Sequence, residues 1–198
     1  IRFGLSAIKG MGGAAAKAIV EERKANGPFK DIYNFVERVS MNALNRKSME
    51  CLAVSGALDC FGFDRELYLA PCNERATFME VLLRYGMNVQ QDKHESENSL
   101  FNDIGGMEIP QPAPPAKYEK WSNITKLEKE RELVGIYISG HPLDPYAVIM
   151  EQLCNTTFPQ LSNPALLKGK PLVLGGMVTG LREGTTKTGK PFGIVQFE

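Results

Sequence analysis

Histidine and cysteine are scarce in this sequence, with two His and four Cys among 198 residues. Cys51, Cys60, Cys72 and Cys154 form no Cys-x-x-Cys pair and have no clustered His beside them. That spacing argues against a zinc site and predicts free thiols in a reducing cytoplasm. No apolar run approaches the ~20 residues that span a bilayer, and no signal-peptide pattern is visible. Gly-x-x-x-x-Gly-Lys-Ser/Thr is missing, so a P-loop is excluded. Neither sign of charge is in excess: 23 Lys and Arg meet 23 Asp and Glu. No global field therefore draws in a polyanion, and any nucleic-acid contact must come from a local patch. Residues 1–60 hold one, with nine Lys and Arg against six Asp and Glu. An initiator Met is also lacking, and the sequence stops inside an apparent strand. Both features predict a piece of a longer protein.

What is present begins with Arg2 to Arg23. An apolar run ends in Lys9-Gly10-Met11-Gly12-Gly13, and an Ala-rich helical run follows at once. Glycines there permit a tight reversal and close approach by a bulky partner. The free N–H groups of the next helix, with the positive end of its dipole, make an anion site. Lys9 and Lys17 flank that end, and Ile8 and Ile19 are placed to clamp the two helices. The pattern is that of a helix–hairpin–helix element, which holds a phosphate and reads no base. An ordinary αα-corner, in which the glycines only turn the chain, has the same local sequence.

The helix after the hairpin should end near Asn26-Gly27-Pro28. Asp31 is a good N-cap for a short helix with Ile32, Phe35, Val36 and Val39 as its core face. Residues 41–59 repeat the opening plan, with one glycine, Gly56, in the turn. They read as a degenerate second hairpin in which Arg46 and Lys47 either add phosphate contacts or form a solvated basic face. Asp64 can cap a helix over Arg65–Leu69, and Pro71 would restart or kink it. Phe78, Val81, Leu82 and Tyr85 mark a longer amphipathic helix fading near Gln91.

Residues 92–121 change character. A polar stretch leads to Ile109-Pro110-Gln111-Pro112-Ala113-Pro114-Pro115, which reads as a stiff polyproline-like linker. Leu100 and Phe101, inside Glu97-Asn98-Ser99-Leu100-Phe101, form an apolar island that either docks in a partner's pocket or tucks back onto its own domain. Ile124 to Ile138 reads as a helix capped by Thr125, Ser122 or Asn123. The run from Lys126 to Glu132 reads as a solvated face, with Leu127, Val134 and Ile138 facing inward. His141 lies in a turn with no companion nucleophile or metal ligand. Pro145 to Leu153 can form a brief helix. From Gly169 the period changes to strand: a glycine-bent strand, a basic turn from Arg182 to Lys190 and a second strand from Phe192 to Phe197. That arrangement is similar to the opening of an OB-fold, of which only two strands are here.

The predicted class is mainly α. A tandem helix–hairpin–helix domain spans 1–91 and a linker spans 92–121. Connecting helices and a loop fill 122–168, and a partial β hairpin of a truncated OB-fold fills 169–198.

Ile1-Arg2-Phe3-Gly4-Leu5, Ile8 to Gly12, Asn45-Arg46-Lys47, Ser55 to Asp59 and Leu127 to Leu143 stand in an order that resembles the C-terminal part of the bacterial replicative DNA polymerase III alpha subunits. The resemblance covers nearly the whole chain. It implies a domain that holds duplex DNA behind a polymerase site through Lys9, Gly10, Met11, Gly12 and Gly13, to which the residue pattern itself adds Lys17 and, unless they form a solvated face, Arg46 and Lys47. It implies a sliding-clamp-binding peptide at Glu97, Asn98, Ser99, Leu100 and Phe101. Glu97 stands where Gln is usual, and a carboxylate cannot donate the hydrogen bonds an amide donates. Through the OB-fold it implies single-strand contacts from Arg182, Lys187 and Lys190. The parent would be a Mg2+-dependent, DNA-directed DNA polymerase of the bacterial cytoplasm, working with the other holoenzyme subunits. This segment would hold no catalytic residue, metal or cofactor, and no membrane contact is implied. A helix–hairpin–helix segment of a repair enzyme and a pure protein-interaction module are the alternatives.

Overall fold

A computed structural model describes residues 3–98, 109–162, 169 and 171–198, and of residues 96–98 the backbone only. The chain divides into two compact units, Ile1–Ile138 and Ser139–Glu198. The fold is mainly α with an antiparallel two-stranded hairpin near the C-terminus.

In the first unit a 3-10 turn, Leu5–Ala7, precedes α1 (Gly13–Asn26). The leading arm of the first hairpin is thus a single turn. Ile8 and Ile19 are both buried in the shared core, as the clamp requires. Gly27 follows α1 at φ 79°, and Pro28 cannot continue the helix. Asp31 caps α2 (Ile32–Arg38), its carboxylate accepting from the Asn34 N–H at 2.7 Å. Ile32, Phe35, Val36 and Val39 all enter the core. Asn45 caps α3 (Arg46–Val54) by accepting from the Ser48 N–H at 2.9 Å. A second 3-10 turn, Asp59–Phe61, and the short α4 (Arg65–Leu69) follow.

Pro71 does not restart a helix. It opens β1 (Pro71–Asn73), which pairs antiparallel with β2 (Ala76–Thr77). A proline at the first residue of an edge strand forfeits no ladder bond. α5 (Phe78–Asn98) then runs on through the polar stretch read as the start of the linker. That stretch contains no Gly or Pro, and the Gln91 side chain donates to Glu95 at 2.9 Å one turn on. α5 packs against α2, α3 and α4.

The described part of the proline-rich segment lies on this unit. Ile109 packs against the core, the Tyr33 hydroxyl donates to the Pro112 carbonyl at 2.9 Å, and the Tyr118 hydroxyl donates to Asp64 at 2.7 Å. Ser122 is the cap of α6 (Asn123–Val134), accepting from the Thr125 N–H at 3.1 Å. α6 stops at Gly135, φ 89°, short of the Ile138 expected from its apolar spacing. Ile138 is half exposed. The reading of residues 126–132 as a solvated face fails at Glu130, which is fully buried and ion-paired to Arg65.

The second unit holds α7 (Ala147–Leu153), α8 (Phe158–Leu161), β3 (Val178–Thr185) and β4 (Pro191–Phe197). β3 and β4 pair with Leu181 opposite Val195 and Glu183 opposite Gly193. The first strand begins later than Gly169. Asn155 takes the backbone groups upstream, donating to the Pro171 carbonyl at 3.0 Å and accepting from the Val173 N–H at 2.9 Å. His141 serves its own turn, its Nδ1 accepting from the Leu143 N–H at 3.2 Å.

Candidate nucleic-acid interface

The first hairpin turn is fixed by two backbone bonds. The Lys9 N–H donates to the Leu133 carbonyl at 2.8 Å, and the Met11 N–H donates to the Ile8 carbonyl at 3.1 Å. Gly10 between them has φ +83°, a conformation costly for any residue with a Cβ. Met11 is buried, 8% exposed, and its side chain belongs to the core. Among the residues assigned to phosphate contact, Lys9 and Met11 therefore have their amides engaged within the protein. Met11 supports the turn from below.

The open groups come next. Gly12 is the N-cap of α1, and no side chain caps it. Gly12, Gly13 and Ala14 are exposed, and a Cβ built on Gly12 or Gly13 meets nothing within 4 Å. The first amides of a helix have no intrahelical acceptor. In α2, α3 and α6 a side chain from Asp31, Asn45 or Ser122 meets that need. Among the described residues no side chain does this for α1, whose first amides stand at the positive end of a 14-residue helix.

Three exposed lysines belong to this part of the molecule. Lys9 precedes it directly in the chain. Lys17 lies one turn into α1 and sits 3.7 Å from Glu21 across a well-hydrated pair, an arrangement of little energetic weight. Lys47 arrives from α3: its Cε would lie 3.2 Å from a Cβ on Gly10. The two hairpins thus converge, and Lys47 joins the first through space. Arg46 points elsewhere, ion-paired to Glu80 at 2.9 Å.

At the second hairpin Arg65 occupies the space beside the turn glycine. Gly56 has φ +82°, and the Arg65 guanidinium packs on it so tightly that a Cβ there would overlap Nη2. Arg65 donates to Asp59 through Nε at 3.0 Å and Nη2 at 2.7 Å, and to Glu130 through Nη1 at 2.8 Å. Burial opposes its charge, and the bonds to Asp59 and Glu130 outweigh that, so its pKa stays above the ordinary value. Sequence reasoning missed Glu130 as the partner because the two residues are 65 positions apart.

Glu97 and Asn98 end α5, while Ser99, Leu100 and Phe101 lie outside the described residues. In the second unit Arg182 lies on β3, and Lys187 and Lys190 lie in the β3–β4 turn, all three exposed. Among the described residues no group of three or more His, Cys, Asp and Glu is placed to hold a metal ion. No helix among them is long and apolar enough to cross a membrane.

A family model described as "Helix-hairpin-helix motif" matches residues 1–68. The chain is 37% identical over 191 residues to the DNA polymerase III subunit alpha of Thermus aquaticus, covering 96% of this chain and 14% of the relative. The corresponding subunits of Vibrio cholerae and Treponema pallidum are each 30% identical over 100% of this chain and 16% of their own length. By sequence, then, the chain belongs among the bacterial DNA polymerase III alpha subunits, of which it matches one segment along essentially its whole length.

Proposed function

We propose that this segment holds duplex DNA without regard to sequence, as part of a replicative polymerase of the bacterial cytoplasm. The observation that carries the reading is the uncapped, exposed start of α1, where Gly12, Gly13 and Ala14 present amides beside Lys9 and Lys47. A backbone phosphate fits that edge. It accepts N–H bonds, it is favoured by the helix dipole, and the missing Cβ atoms let it come close. Such a grip positions a duplex and carries no base information.

Binding of a fluorescently labelled duplex at low salt tests this. Lys9, Lys17 and Lys47 neutralise about three phosphates, so log K should fall against log salt with a slope of about −3. Unrelated sequences should bind equally. No binding at low salt rejects the reading.

The resemblance read from the sequence extends the proposal. Glu97 to Phe101 would dock on a sliding clamp, with Leu100 and Phe101 as apolar anchors. Arg182, Lys187 and Lys190 would meet single-stranded template on an OB-type hairpin. Nucleotidyl transfer with Mg2+ would belong to parts of the longer protein outside this chain, beside other holoenzyme subunits. Loss of clamp capture on Leu100→Ala with Phe101→Ala tests the peptide.

A further inference from the structure

The open amides of α1 owe their direction to a helix more than a hundred positions away in sequence. Two links join them. The first is the Lys9 N–H, which donates to the Leu133 carbonyl at 2.8 Å. Leu133 lies in the last turn of α6, whose carbonyls have no partner within the helix. One of these orphans is thus met by the turn that aims Gly12 and Gly13. The second link is Glu130. Its Oε2 accepts from Arg65 at 2.8 Å and its Oε1 accepts from the Ile138 N–H. Arg65 in turn fills the space over Gly56 and binds Asp59, which secures the turn of the second hairpin, whose helix α3 carries Lys47. One buried carboxylate therefore fixes the end of α6, the second hairpin and, one turn further along α6, the first hairpin.

We infer that the C-terminal end of α6 is a positioning element of the phosphate grip, with Glu130 as its key residue. The inference rests on the phosphate-binding reading above. Glu130 touches no DNA in this scheme. It holds Leu133 where its carbonyl receives Lys9, and Lys9 and Met11 together orient the amides of Gly12 to Ala14. Coupling of this kind is reciprocal: if docked α6 favours DNA, bound DNA must favour docked α6.

That reciprocity gives a test on the unaltered chain. Backbone hydrogen exchange is measured with and without a mixed-sequence duplex at low salt. Binding should slow exchange at Gly13 and Ala14, and also at Lys9 and across residues 130–138. In parallel, Glu130→Ala should weaken duplex binding by about five-fold, the low end of ordinary site–site coupling, with the salt slope unchanged. The sign discriminates, because deleting an acidic residue would by charge alone tighten binding to a polyanion. Slowing confined to α1, or a folded Glu130→Ala chain that binds as well as or better than the unaltered one, overturns the inference. If Glu130→Ala does not fold, the exchange measurement decides alone. Absence of any duplex binding removes the phosphate reading and this inference with it, a result distinct from binding that leaves α6 unprotected.

Discussion

Gly86 of α5 lies so close to Val36 of α2 that a Cβ on it would stand 2.6 Å from the Val36 carbonyl oxygen and 3.1 Å from its Cβ. The obstacle is backbone, which cannot swing aside. Gly86→Ala should gain a little from helix propensity and lose more from overpacking. The net cost should be about 1–3 kcal/mol, read as a lower urea midpoint at unchanged slope. A midpoint equal to that of the unaltered chain would show that α2 and α5 have room to separate.

The same helix pair is tied by Gln90. Its amide nitrogen donates to the Val36 and Val39 carbonyls at 3.0 and 2.8 Å, and its oxygen accepts from the Met41 N–H at 3.2 Å. These are end-of-helix carbonyls of α2 that no backbone group among the described residues reaches. Gln90→Met keeps the volume and removes the donors. It should cost about 1–3 kcal/mol, the penalty for stranding buried acceptors, and α2 should exchange its amides faster while α1 does not.

What was readable in the sequence follows how far each signal acts. Asp31, Asn45 and Ser122 cap helices through bonds spanning three residues, so local pattern sufficed to place α2 and α6. Ile32, Phe35, Val36 and Val39 lie at helical spacing, and all are buried. Glu130 was unreadable because an acidic residue among charges of both signs has the pattern of a solvated face. Arg65, arriving from α4, and the Ile138 N–H make its burial tolerable. The course of the proline-rich segment was unreadable for a related reason. Its anchor is Tyr33, 79 positions from Pro112, and composition alone carries no record of such a contact. The open edge of α1 was legible as Gly-x-Gly. That Lys9 and Met11 spend their amides internally was not, since the Lys9 acceptor belongs to α6.

Titration should expose the tyrosines whose pKa values are raised. Burial, then the bond its hydroxyl donates to Glu37, pushes Tyr85 up to about 12. Tyr33 and Tyr68 are raised chiefly by burial, and Tyr118 chiefly by its bond to Asp64. A pKa raised in the folded state gives stability that is complete below the unfolded value near 10. That stability is lost as pH climbs through the folded value. Phenolate absorbance and helical circular dichroism should therefore change together above about pH 10, and Tyr85→Phe should soften the alkaline limb. Glu22 has the opposite sign. The Arg38 bond and then the Asn26 bond lower its pKa, so its contribution is present above about pH 4.5 and fades below. Glu22→Gln should flatten that acid limb.

The three glycines of the first turn should separate stability from grip. Gly10 needs its left-handed backbone, and a Cβ there would meet Cys51 Sγ at 3.0 Å and Lys47 Cε at 3.2 Å. Gly10→Ala should cost about 1–3 kcal/mol of stability through strain at φ +83°. Gly12 and Gly13 have ordinary or helical backbone and open space where a Cβ would go. Gly13→Ala should leave the melting temperature equal or slightly higher, since alanine suits a helix better by about 1 kcal/mol. Its methyl group would nevertheless stand on the face a phosphate must approach, so duplex affinity should fall. If Gly13→Ala binds duplex as tightly as the unaltered chain while Gly10→Ala alone weakens it, phosphate does not seat on the start of α1. The glycines then serve only to turn the chain.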